Sequence, residues 1–160
     1  FSWFLYLFVL YLLAEKLRTQ FLQQEIDLSF AFPMLLAMYC LNLVTQLFGG
    51  VRNLPLLNRT EHFAIFVLIA YVVWIFFTKY LPQNVWIEHP YYTSVLVLAI
   101  ASLAGVGNEL AELMMDNLFR TSYIGEHYDT SLDLLMNTLG SGLFLAVRLI
   151  VSSPNKKQVG

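Results

Sequence analysis

Three stretches of this chain carry no charged residue and are long for any soluble fold: Leu28–Phe48, Phe63–Thr78 and Tyr91–Asn108. A helix rises 1.5 Å per residue, so runs of this length approach the ~30 Å hydrocarbon core of a bilayer. Charged residues make up only 12% of the 160 positions, about half the share of an ordinary soluble domain. The sequence therefore predicts an all-α, polytopic transmembrane helical bundle. Two further apolar segments, Phe1–Leu13 and Thr130–Val151, bring the expected count to about five spans. Residues 1–151 read as a single transmembrane helical domain and residues 152–160 as a polar C-terminal tail.

The breaks between segments follow ordinary helix punctuation. Pro33 falls near the start of the second segment, where a helix tolerates proline, and Gly49-Gly50 ends it. Lys79, Pro82 and Asn84 close the third. Phe1 to Ala14 gives only about 20 Å of helix, so the expectation is that further residues precede Phe1. Six Lys and Arg residues (Lys16, Arg18, Lys79, Arg148, Lys156, Lys157) fall on the side of the C-terminus, against Arg52, Arg59 and Arg120 opposite. That bias puts the C-terminus in the cytoplasm. Trp3, Trp74, Trp86, Tyr91 and Tyr92 are expected as interface anchors. Cys40, the single cysteine, reads as a buried spectator thiol and excludes an intrachain disulfide. The net charge of −2 offers no basic surface for nucleic acid. Asn58-Arg59-Thr60 has the form of a glycosylation sequon, a pattern common by chance.

Six of the eleven carboxylates crowd into residues 109–133: Glu109, Glu112, Asp116, Glu126, Asp129 and Asp133, with Arg120 as the one Lys or Arg among them. A carboxylate at mid-bilayer costs at least ~2.5–3.5 kcal/mol, so such groups are paired, hydrated or functional. At 100° per residue, Glu109, Glu112 and Asp116 share one helical stripe with Gly105. Asp129, Asp133, Asn137 and Gly140 share another on the fifth segment. Small residues let membrane helices approach closely, so the simple arrangement packs segments four and five stripe to stripe. The third segment opens on the same side of the membrane, with Arg59, Glu61 and His62 at its entrance. Connectivity then predicts a polar funnel: His62, Asp116 and Asp129 at one interface, and Glu109, Glu112 and Asp133 deeper.

Three chemistries suit such a funnel. Glu112, Asp116, Asp129, Asp133 and Asn137 supply oxygens for a hard divalent cation, and His62 would admit a transition metal. Paired carboxylates at depth can also share and relay protons. Alternatively, hydrogen-bonded acids simply fasten helices together around water. Other motifs carry less. Asp129-Xaa3-Asp133 has the spacing some membrane prenyltransferases use for magnesium-diphosphate, but a second such motif is lacking. Glu109-Xaa2-Glu112 lacks the paired ExxH elements of di-iron bundles. Glu88-His89-Pro90 reads as an interfacial helix cap.

Asn58-Arg59-Thr60-Glu61-His62-Phe63 resembles the (D/N)-(R/K)-x-x-H-F signature of the YjdF-like bacterial inner-membrane proteins, which are distantly VanZ-like. Gly107 to Glu112 followed by Asp116 is similar to that family's G-x-x-x-E-x-x-E-x-x-x-D element. Asp129 to Leu134, with Asn137 and Gly140, is similar to its D-T-x-x-D-(L/M)-x-x-(N/D)-x-x-G element. Asn58 stands where the family commonly has Asp. The resemblance covers about Asn58 to Gly142 and implies a small helical inner-membrane protein with five or six spans. It implies no particular activity.

The expected function is that of a binding or scaffold protein, or an accessory subunit of a membrane complex, in contact with lipids and other membrane subunits. The alternatives are a metal-dependent intramembrane enzyme on a lipid or lipid-phosphate, and a proton or cation carrier. In the first, Asp116, Asp129 and Asp133, with Glu112 as a further candidate ligand, would hold a divalent cation, and His62 or Glu112 would act as base. The second would use Glu109, Glu112 and Asp133.

Overall fold

A computed structural model describes residues 12, 16, 29–48, 55–80, 82, 84, 88–120, 124 and 128–152. The elements that can be delimited there are four α-helices: α1 Ala31–Leu47, α2 Pro55–Tyr80, α3 Pro90–Phe119 and α4 Asp129–Ser152. Three of them are long and apolar enough to cross a membrane, and α1 is a shorter apolar helix. The expected first segment Phe1–Leu13 with Trp3, apart from Leu12, and likewise the Gly49-Gly50 break, Trp86 and residues 153–160 of the tail lie outside the described residues.

Proline sets two of the helix starts. It lacks an N–H and holds φ near the helical value, so the first turn accepts it without losing a hydrogen bond. Pro90 opens α3, with His89 at the capping position and its carbonyl accepting from the Thr93 N–H at 3.2 Å. Pro55 opens α2, eight residues ahead of the apolar run that begins at Phe63. This corrects the sequence expectation, because Asn58, Arg59, Glu61 and His62 belong to the first two turns of α2 and not to a loop at its entrance. At the other end of α3, Arg120 terminates the helix in the left-handed conformation with φ 54°.

α2 and α4 run parallel and in fixed register. Hydrogen bonds join Asn58 to Asp133, His62 to Asn137 and Phe66 to Ser141, each spanning 75 residues. Successive pairs are one helical turn apart, so the same i, i+4 ridge of each helix lies against the other. α3 runs antiparallel beside them, and among the described helices α1 packs on α2. The Asn42 amide of α1 donates to Glu61 of α2 at 2.9 Å. At the opposite end of that pair the Lys79 ammonium stands 5.6 Å over the Phe30 ring.

The half of the bundle away from the acids holds an apolar core. Ala70, Trp74 and Phe77 of α2 meet Val97 of α3 and Leu145 of α4, with Val73, Phe76, Leu98 and Phe144 around them. Tyr71 and Phe144 pack edge to face at 5.9 Å. Trp74 is thus a core residue rather than an interface anchor, and the Arg148 guanidinium lies 5.0 Å over its ring. Tyr91 and Tyr92 are exposed at the start of α3. Cys40 is also exposed, which corrects its reading as a buried thiol. It sits mid-way along a bare stripe of α1 formed by Phe32, Leu36, Cys40, Leu43 and Leu47. α3 and α4 likewise turn Val95, Leu103, Leu110, Leu139 and Leu143 outward, as lipid-facing helices do.

Candidate functional site

The inward stripe of α2 starts polar and turns apolar: Asn58, the partly buried His62, then Phe66, Ala70 and Trp74. That of α4 does the same: Asp129, Asp133, Asn137 and Ser141, then Leu145. Because the two helices are parallel and in register, polar meets polar in three rungs. Asn58 Nδ2 lies 3.4 and 3.3 Å from the two carboxylate oxygens of Asp133. His62 Nδ1 lies 3.1 Å from Asn137 Oδ1. The Ser141 hydroxyl reaches the Phe66 carbonyl at 3.3 Å and its own helix's Asn137 carbonyl at 3.0 Å. Asp133, Asn137 and Ser141 are each at most 2% exposed. Buried polar groups that lose water must be paired in this way, or each would cost about 1–3 kcal/mol.

Glycine makes the approach close. A Cβ on Gly140 would fall onto the Phe63 carbonyl oxygen, with the carbonyl carbon 3.1 Å away. A Cβ on Gly105 of α3 would lie 3.0 Å from Asn137 Nδ2 and 3.4 Å from the Phe66 ring. The two glycines therefore do mark helix contacts. The acidic stripe of α4, however, packs chiefly on α2, with α3 closing the side at Gly105.

α3 brings the second half of the site. Glu109 is buried, one turn beyond Gly105. Asn108 Nδ2 spans its carboxylate and that of Glu112, at 3.3 and 3.0 Å. His62, Glu109 and Asp133 then offer three ligating atoms that all lie within 4.8 Å of one another. His62 Nε2 and Asp133 Oδ2 are 3.7 Å apart. His62 therefore sits level with Glu109 and Asp133, not at the outer rim where connectivity placed it. Asp129, Arg59, Glu61, Glu109 and Glu112 are among the charged groups that face Asp133.

The remaining acids do other work. Asp116 Oδ2 accepts the Ile124 N–H at 2.9 Å, which ties the end of α3 to the following loop. Asp129 is the first residue of α4, where a negative charge complements the helix dipole. Glu112, Asp116 and Asp129 are not members of the His62–Glu109–Asp133 group. Arg59 is partly buried beside the cluster with its Nε unpartnered. Asn58, as a buried partner of Asp133, is unavailable to a glycan, so the sequon is a chance match.

Sequence reasoning missed four contributors: Asn58 as the partner of Asp133, Asn108 as the bridge between glutamates, Ser141, and the Asn42–Glu61 tie. Two signals were present. Asn58 and His62 are spaced i, i+4 once the helix is started at Pro55, and Asn108 is spaced i, i+4 from Glu112.

A family model described as a predicted membrane protein, DUF2238, matches residues 2–153. The chain belongs to the DUF2238 family. The match spans all three polar elements and all four helices. With three long apolar helices, it identifies an integral membrane protein. No curated protein and no solved structure gives a match.

Proposed function

We propose that this DUF2238 member is a YjdF-like protein of the bacterial inner membrane that acts as a binding or scaffold subunit, with its ligand site at the polar junction of α2, α3 and α4. On this reading residues 1–151 form one domain of about five spans, Phe1–Leu13 being the additional one, with the C-terminus in the cytoplasm. The apolar outer faces of α1, α3 and α4 meet lipid and neighbouring membrane subunits. The observation that carries the reading is the convergence of Glu109 with His62 and Asp133. The α2–α4 ladder is already fastened by Asn58, Asn137 and Ser141. Glu109 adds a second carboxylate to that buried contact, and holding helices together does not require it. Burying like charges is costly unless something positive or protic joins them.

The enzyme reading has less support, because Asp116, one of its metal ligands, is engaged by the Ile124 amide. Isosteric variants test the proposal. Asp133→Asn and Glu109→Gln keep size and hydrogen bonding but remove charge. Expressed in a strain lacking the chromosomal gene, they should reach the membrane folded and fail to restore the phenotype of the deletion. Full restoration by both would show that the cluster only fastens helices, and the binding reading would fall.

A further inference from the structure

Resting on that binding reading, we propose that His62, Glu109 and Asp133 bind one divalent first-row transition metal of the zinc or manganese class, leaving a coordination position open beside Asn137.

Each of the three ligands comes from a different helix, and their ligating atoms already lie within 4.8 Å of one another. A tetrahedral ion with ligands at 2.0–2.2 Å separates them by roughly 3.4 Å. The His62–Asp133 pair, at 3.7 Å, is a few tenths of an ångström from that value. Glu109 has three side-chain torsions with which to close the rest. One imidazole with two carboxylates is a mixed nitrogen and oxygen set, which suits zinc, iron or manganese better than calcium or magnesium.

The outer partners are those a metal site uses. With Nδ1–H donating to Asn137 Oδ1, His62 presents the Nε2 lone pair to Asp133. Asn58 holds the Asp133 carboxylate, and Asn108 holds that of Glu109. A dication also neutralises two carboxylates that would otherwise repel at membrane depth.

Asn137 supplies an independent observation. It is 1% exposed, and its Nδ2 has no hydrogen-bond partner. That donor lies 3.0 Å from the place a Cβ would take on Gly105, one turn from Glu109 on the same stripe. The orphaned N–H group therefore faces the stripe of α3 that carries Glu109. An oxygen ligand on the ion would accept its hydrogen bond. Without such a ligand, a buried donor is left unsatisfied, which native structures rarely tolerate.

The test is titration of the full chain, purified in detergent and stripped with chelator, with zinc sulfate and manganese chloride by calorimetry. Expected is one ion per chain, weakened about tenfold or more in His62→Gln, Glu109→Gln and Asp133→Asn. Asn137→Ala should weaken it by about 10–100-fold without removing a ligand. Glu88→Gln, exposed ahead of α3 at the other end of the bundle, should bind as wild type does. Should variants fail to fold, X-ray absorption of the loaded wild type still decides the matter: a shell of nitrogen and oxygen with one imidazole supports the site, and a shell without imidazole overturns it. No binding by folded wild type, or equal binding by the ligand variants, also overturns it. The binding reading survives that failure if Asp133→Asn or Glu109→Gln still loses function in cells, and it falls separately if both variants are fully active.

Discussion

Gly140 of α4 rests against the backbone carbonyl of Phe63 in α2, leaving no space for a side chain. Two turns of polar contact, Asn58–Asp133 and His62–Asn137, lie on one side of this point and the aromatic core on the other. Gly140→Ala should therefore pry the helices apart at the centre of their contact, at a cost of about 1–3 kcal/mol. Gly142, two residues on, meets nothing within 4 Å. Gly142→Ala should be neutral, or stabilising by up to ~1 kcal/mol through helix propensity. Unfolding in detergent would rank the two, and equal stabilities would refute the close approach.

The Asn58–Asp133 pair should be energetically coupled. Asp133→Ala leaves the Asn58 amide buried without an acceptor, so it should cost more than Asp133→Asn, by about 1–3 kcal/mol. A double-mutant cycle with Asn58→Ala should return about 0.6–1.7 kcal/mol, the range for hydrogen bonds between membrane helices. A coupling near zero would mean that the two residues do not meet.

Cys40 provides a probe of α1 without further mutation, since it is the one cysteine. It lies on the bare stripe with Leu36 and Leu43. A nitroxide attached there in reconstituted vesicles should relax faster with oxygen, which concentrates in lipid, than with a water-soluble nickel chelate. Protection from both would place α1 against protein on that face.

Arg148, partly buried over Trp74, should contribute about 1 kcal/mol, between the values of exposed and fully desolvated cation–π pairs. Arg148→Gln removes the charge and should lower stability by about that amount. Against a Trp74→Phe background the loss should shrink, and an unchanged loss would assign the effect to packing of the arginine stem instead.

The sequence was most informative where one residue type stands out against its surroundings. Apolar runs located α1, α4 and the start of α3 to within a few residues, and carboxylates in apolar sequence pointed to Glu109 and Asp133, with Asn137 on the stripe of Asp133. It was least informative where two elements share the cause. Asn58 and His62 interrupt hydropathy, so the third segment seemed to start at Phe63. They are tolerable inside a membrane helix only because Asp133 and Asn137 answer them from 75 residues away. Helix rotation was equally hidden. In an all-apolar stretch nothing local says whether Trp74 or Cys40 faces the core or the lipid, and the structure puts the tryptophan in and the cysteine out.

The apolar end of the bundle bears on transport. The polar cluster lies in the first turns of α2 and α4, while Trp74, Phe77, Val97 and Leu145 fill the same bundle further along. Among the described helices, the bundle is polar towards one end and packed with aromatic and aliphatic side chains towards the other. An ion or proton that entered at His62 would meet a dead end, and to leave by the far face it would need the helices to part at Trp74. Reaching the polar cluster from its own end asks no such parting of the described helices.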